Sequence, residues 1–269
     1  MTSPSPDAVR LPTAGDSLST FYVDALDRLE AAGVPFLVGG TFAYARYTGI
    51  DRETKDLDIF VDPSEIRRAL SVLAQAGCRT ALPYPHWLGK VSMGSHCMDI
   101  VFSSGNGVAR VDGEWFAHAV ESDVLGHVLP LCPPEEMIWS KAFVQERERF
   151  DGADVLHLVR AQGRTLDWDR LLRRFAEEWA VLLAHLVLFR YVYPDRRQDV
   201  PNRILNDLLG RLHAQQAEPD NHVCKGTLLS REQYLYDLCR LGYEDARVRP
   251  HGRMTAAETE IWTDAISRG

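Results

Sequence analysis

Val38-Gly39-Gly40-Thr41, then fourteen residues, then Asp56-Leu57-Asp58-Ile59 is the stretch on which the reading of this chain turns. The run Pro35-Phe36-Leu37-Val38 is short and apolar, which predicts a strand. The glycines after it let the backbone approach a bulky anion. The segment Phe42–Tyr47 has helical spacing, and the first turn of a helix offers unpaired N–H groups suited to phosphate, with the Thr41 hydroxyl beside them. Asp56–Val61 reads as a second strand. Asp56 and Asp58, two apart on it, face the same way, about 6–7 Å from each other. Two carboxylates so placed suit a hard cation such as Mg²⁺, which takes carboxylate and substrate phosphate as ligands.

Working outward, Phe21, Ala25, Leu26 and Leu29 predict a helix over 20–32, and Asp62-Pro63-Ser64 starts another over Glu65–Ala76. Strands are expected at Cys78–Leu82 and His96–Phe102, with Val108–Phe116 pairing beside them. The second of these carries Asp99 between Met98 and Ile100. A carboxylate inside an apolar strand is costly unless partnered. Asp99 on a neighbouring strand would complete a two-ion site, and two divalent ions can activate an attacking hydroxyl and stabilise a leaving pyrophosphate.

Composition excludes several classes. The chain has 269 residues, 45% hydrophobic and 25% charged, an ordinary globular mix. No apolar run reaches the roughly 20 residues of a membrane span; the longest, Ala180–Phe189, reads as a buried helix. Met1–Ser19 is polar and reads as a flexible tail, not a signal peptide. The 5 Cys have no metal-ligand or disulfide-framework spacing, which places the protein in a reducing cytoplasm. The net charge of −8 argues against a generic nucleic-acid binder. Residues 1–140 carry 10 Lys+Arg against 18 Asp+Glu, whereas residues 141–269 carry 20 of each, so the excess acid lies in the first half.

The glycine turn, the Asp-x-Asp and the later Asp99 together resemble the nucleotidyltransferase-fold superfamily, the DNA polymerase beta-like or minimal nucleotidyltransferases. The resemblance covers roughly residues 34–102. It implies a short mixed sheet in an α/β (α+β) domain over 20–132, followed by a helical domain over 133–269, behind the 1–19 tail. It implies transfer of a nucleoside monophosphate from an NTP such as ATP to an acceptor hydroxyl. Asp56, Asp58 and Asp99 would then be catalytic and hold two Mg²⁺ (or Mn²⁺), with Asp99 as the base. Gly39, Gly40 and Thr41 would bind the triphosphate. The layout with a helical half resembles the abortive-infection-type nucleotidyltransferases, some of which are toxins acting on tRNA.

Past Cys132-Pro133-Pro134 the pattern turns helical: Glu135–Phe150, Ala153–Gln162, Trp168–Tyr193, Val200–Gln216, Ser230–Leu241 and Ala256–Ile266, with Ala217–Lys225 a polar loop. Lys141 could reach the NTP phosphates as a point charge. Asp151 reads as a helix N-cap. Arg52 and Lys55 read as loop charges. His213, His222 and Cys224 match no zinc spacing. Trp179, Phe189, Tyr191 and Tyr193 read as core. Arg196, Arg197 and Arg203 follow Pro194, and a neutral, Arg-rich second half would present an RNA or protein acceptor. Two other readings stand beside this one: a silent nucleotide-binding regulator or toxin–antitoxin partner, and a nucleotidyltransferase acting on a small molecule such as an antibiotic.

Overall fold

The computed structural model describes residues 17–54, 56–218 and 221–264. They divide into two compact units: one runs to Gly105 and resumes over Arg110–Pro133, and the other combines Asn106–Ala109 with the chain from Pro134 onward.

The first unit is a seven-stranded mixed sheet with helices. Helix α1 (Ser17–Ala31) buries Phe21, Tyr22, Ala25, Leu26 and Leu29, one stripe at helical spacing. Ser17–Ser19 therefore belong to a helix and not to a tail, and residues 1–16 lie outside the described residues. Strand β1 (Leu37–Val38) leads into α2 (Gly40–Thr48), β2 (Asp56–Phe60) and α3 (Ile66–Gln75). Then come β3 (Arg79–Tyr84), β4 (Leu88–Met93), β5 (His96–Val101), α4 (Gly113–Ala117), β6 (Val120–Val124) and β7 (His127–Leu131). The strand order is β3-β4-β5-β2-β1-β7-β6. Strands β2 and β5 are parallel, as are β1 and β7, and the remaining pairs are antiparallel.

Alternation along the central strands separates a dry face from a polar one. Leu57, Ile59, Met98 and Ile100 are fully buried on the first. Helix α3 lies on that side, where an added Cβ on Gly89 would come within 3.0 Å of Ile66 Cδ1. Asp56, Asp58 and Asp99 point the other way.

Three features of this unit depart from the sequence reading. Strand β4 was not expected, since Gly89 and Lys90 interrupt its apolar pattern. The β6–β7 hairpin was not expected either. Its turn is Leu125-Gly126, both at positive φ (56° and 84°), without the Asn-Gly or Asp-Gly that normally marks such a turn. Val108–Phe116 is not a strand. Asp112 caps α4, its Oδ1 accepting from the Glu114 N–H at 3.1 Å.

The second unit is mainly helical: α5 (Pro134–Ala142), α6 (Gly152–Gln162), α7 (Trp168–Phe175), α8 (Trp179–Val192), α9 (Asn202–Ala214), α10 (Leu235–Leu241) and α11 (Ala256–Asp264). A small parallel pair, β8 (Val223–Cys224) and β9 (Glu244–Asp245), lies inside the segment read as loop. Asn106 belongs here through its Nδ2, which donates to the Leu228 carbonyl at 2.7 Å.

The expected long helices are broken. Glu135–Phe150 stops at Ala142, and Gln145 then bridges Phe150. Trp168–Tyr193 divides at Ala176, whose φ is 43°. The expected helix from Ser230 starts only at Leu235, and Ile266 lies outside the described residues. Helix α8 is not buried all round. It buries Leu182, Leu183, Leu186 and Phe189 but exposes Val187, Leu188 and Tyr191, so Tyr191 is not core.

The core of this unit includes charge. Arg170 donates through Nη1 to both oxygens of Glu136 (2.9 and 2.8 Å) and through Nη2 to Glu135, and Arg174 Nε donates to Glu136 at 3.0 Å. The other Glu135 oxygen accepts the Asp167 N–H at 2.7 Å.

Candidate active site on the polar face of the sheet

The turn between β1 and α2 is held against β2. Gly39 N donates to the Asp58 carbonyl at 2.9 Å. An added Cβ on Gly39 would meet the Phe60 ring at 2.1 Å, and one on Gly40 would meet Asp58 Oδ2 at 1.8 Å. Gly40 also has a φ of 52°, in the left-handed region. Glycine is required at both positions, because the chain passes directly over the β2 side chains. The Asp58 carboxylate is thereby set against the start of α2. Thr41 lies in the first turn, half-buried, and Gly39 provides no side-chain cap for the helix.

The sheet register brings the acids together. Asp58 stands opposite Asp99 across the parallel β2–β5 pair, and Asp56 stands opposite Cys97. Lys90 of β4 stands opposite Asp99 on its other side. Asp58, Asp99 and Lys90 thus form one row across three adjacent strands. Lys90 Nζ donates to both oxygens of Asp99, at 2.8 and 3.0 Å. Thr54 is buried beside Asp56, and its Oγ1 donates to the Asp56 carbonyl at 2.7 Å.

Burial pushes the Asp99 carboxyl up. Lys90 opposes this through its hydrogen bond and charge, Asp56 adds to it, and the balance stays above the ordinary carboxylate value. Tyr22 is fully buried, and its hydroxyl has no hydrogen-bond partner. Its pKa is raised by burial first and then by the charges of Asp56, Cys97, Asp58 and Asp99, which places the phenol within the field of all three carboxylates.

Neither Lys90 nor Tyr22 was found from the sequence. Lys90 is a single basic residue in a strand broken by glycine. Tyr22 looks like any aromatic on a helix core stripe.

The donor chemistry of Asp56 and Asp58 fits a hard divalent ion: carboxylate oxygens, half-buried, on one face of one strand. Among the described residues, however, no three His, Cys, Asp or Glu side chains converge in a way that would hold a metal. Asp99, the third ligand expected from the sequence, faces Lys90 instead.

The remaining candidates are placed as follows. Lys141 lies in α5 of the second unit, with Nζ 3.1 Å from Asp151 Oδ2 and 2.8 Å from Asp154 Oδ2. Asp151 occupies an N-cap position but makes no side-chain cap bond; Lys141 and Arg149 take its carboxylate instead. Arg52 stacks on Tyr44, 4.3 Å from the ring centre, and donates to its hydroxyl. Lys55 lies outside the described residues. Arg196 pairs with Asp199 and Arg203 with Asp169, each at 2.5 Å.

No family model matches the chain, and no curated protein matches it in sequence. Solved structures do resemble it. The antibiotic-resistance factor ANT(2″)-Ia in complex with adenylyl-2″-tobramycin is 14% identical, over 66% of this chain and 99% of that one, with a TM-score of 0.42. The lincosamide antibiotic adenylyltransferase LnuA, with lincomycin bound, is 16% identical over 56% of this chain and 98% of that one (TM-score 0.38). An antigenic nucleotidyltransferase-like protein from Paracoccidioides brasiliensis is 13% identical over 65% and 94% (TM-score 0.38). Each is a likeness of fold at low identity. Among the described residues no helix is long and apolar enough to cross a membrane.

Proposed function

We propose that the protein is a nucleotidyltransferase that moves a nucleoside monophosphate from an NTP to an acceptor hydroxyl. The observation that carries this reading is the Gly39-Gly40 turn pressed onto Asp58, with Asp99 in register beside it. The start of α2 would receive the triphosphate, since the N–H groups of a first helical turn have no partner within the helix and the helix dipole favours an anion there. Thr41 adds a hydroxyl donor. Asp56 and Asp58 would hold Mg²⁺, which supplies charge neutralisation along the triphosphate.

The transfer balances as one displacement. The acceptor oxygen bonds to the α-phosphorus, the bond from the α-phosphorus to the oxygen bridging it to the β-phosphate breaks, and pyrophosphate carries the electron pair away. The acceptor proton goes to Asp99. Its raised carboxyl makes it a better base than an exposed aspartate, while the Lys90 ammonium keeps it ionised and oriented. Positioning and charge stabilisation would supply most of the rate. The acceptor would be a hydroxyl of RNA, of protein or of a small molecule.

The test supplies each NTP labelled at the α-phosphate, with Mg²⁺ or Mn²⁺, to RNA, protein and small-molecule pools. Label in one pool, reduced at least about a hundredfold by Asp58→Asn, is the expected result. Equal label from the variant would refute the reading.

A further inference from the structure

We infer that Lys90 is a built-in cation for Asp99, so that a divalent ion is seated on Asp56 and Asp58 alone and Asp99 stays off it. The inference rests on the reading above that these two aspartates seat a divalent ion, and it replaces the expected two-ion site by one ion and one ammonium.

Four observations support it. Asp58, Asp99 and Lys90 occupy one row across β2, β5 and β4, so the ammonium stands beyond Asp99 on the side away from Asp58. Lys90 Nζ reaches both Asp99 oxygens, at 2.8 and 3.0 Å, so the carboxylate is turned toward β4. The neighbouring row, Asp56, Cys97 and Ser92, contains no cation, so nothing comparable competes for Asp56. No three metal-ligating side chains converge among the described residues. The fully buried, unpartnered Tyr22 hydroxyl lies in the field of the same carboxylates, a second sign of a polar group left without its partner.

The charges agree with this division. Three carboxylates and one ammonium leave an excess of two negative charges, which one divalent ion neutralises. A second ion would have to displace Lys90. Lysine suits the task because it is a compact point charge on a flexible stem. The backbone of β4, paired on both edges, keeps that stem beside Asp99. Lys90 is a positioning residue, acting through Asp99 on where the metal is held.

The experiment measures Mn²⁺ binding to the full chain without nucleotide, by the loss of the free-ion electron paramagnetic resonance signal. Asp99→Asn should bind Mn²⁺ within about twofold of wild type, while Asp58→Asn should weaken binding by about tenfold or more. Lys90→Gln should tighten binding by about fivefold, as expected for removing one nearby positive charge. Lys90→Arg should behave as wild type, and the Lys90→Gln gain should vanish when Asp99→Asn is added.

The inference is overturned if Asp99→Asn weakens binding as much as Asp58→Asn. It is also overturned if Lys90→Gln changes nothing in a protein whose circular dichroism matches wild type. A wild type that binds no Mn²⁺, or an Asp58→Asn variant that binds it normally, removes the metal seat itself, and the inference falls with it. The Asp99→Asn result stands even if Lys90→Gln fails to fold.

Discussion

Two clusters of charge, one in each unit, show how burial and balance distinguish a structural network from a site. In the helical unit, Glu135 and Glu136 meet Arg170 and Arg174, and the side chains of Glu136 and Arg170 are 0% and 5% exposed. Two negative charges face two positive ones, nearly every donor and acceptor is used, and nothing further is needed. On the sheet, Asp56, Asp58 and Asp99 have a single ammonium between them, and the Lys90 side chain is 50% exposed. Removing charge from water is costly unless a partner replaces the water. The first cluster meets that cost internally. The second remains open to solvent with negative charge in excess, which suits a cluster whose partner arrives from outside.

The largest effect should come from breaking the balanced cluster. Arg170→Met strands two buried carboxylates and should lower stability by about 3–5 kcal/mol in urea unfolding. A loss under about 1 kcal/mol would mean that the glutamates are protonated or hydrated. Next is the turn above the acids. Gly40→Ala adds a Cβ against Asp58 at a left-handed position and should lower stability by about 1–3 kcal/mol, while Asp58→Gly added to it should recover part of the loss.

The unbalanced cluster should respond in the opposite sense. Asp56→Asn relieves like-charge repulsion and should raise stability by about 0.5–1 kcal/mol in metal-free buffer, with the gain shrinking as Mn²⁺ is added. A destabilised Asp56→Asn protein would remove the contrast between the clusters.

A pH series sharpens the comparison further. Burial pushes the Asp151 carboxyl up, but its bonds to Arg149 and Lys141 more than offset this and leave it below the ordinary value. Its stabilising contribution is therefore full above the unfolded carboxylate range and is lost as pH falls through the depressed native value. Asp99 is raised, so its charging opposes folding as pH rises from the unfolded value through the native one. Asp151→Asn should flatten the acid limb of the stability profile, and Asp99→Asn should remove a decline on its neutral side. Smallest of all, Arg203→Ala breaks an exposed pair with Asp169 and should leave the denaturation midpoint unchanged.

The strands around the site were legible because their patterns are local. Val38-Gly39-Gly40 and Asp56-Leu57-Asp58 indicate strand, turn and strand within a few residues of each other, and Met98 and Ile100 flank Asp99 in the same way. Strand β4 was not legible, because Gly89-Lys90 spoils the alternation and its place is set by pairing with β5. The long helices of the second unit were overread, since continuous helical periodicity at Trp168–Tyr193 does not reveal a backbone break at Ala176. Lys141 illustrates a different limit. Its sequence position suited a phosphate contact, but the fold surrounds its ammonium with Asp151 and Asp154, residues ten and thirteen positions later.

By itself, the sequence determined that an apolar strand runs into a paired-glycine turn and that two aspartates share one face of the next strand, because backbone freedom and strand alternation are properties of neighbouring residues. Only the tertiary structure decided that Asp99 stands beside Asp58, that Lys90 holds Asp99 from the far side, and that Tyr22 is sealed within reach of their charge. Those relations depend on strand order and register, and register is set by the fit of whole faces rather than by any one residue.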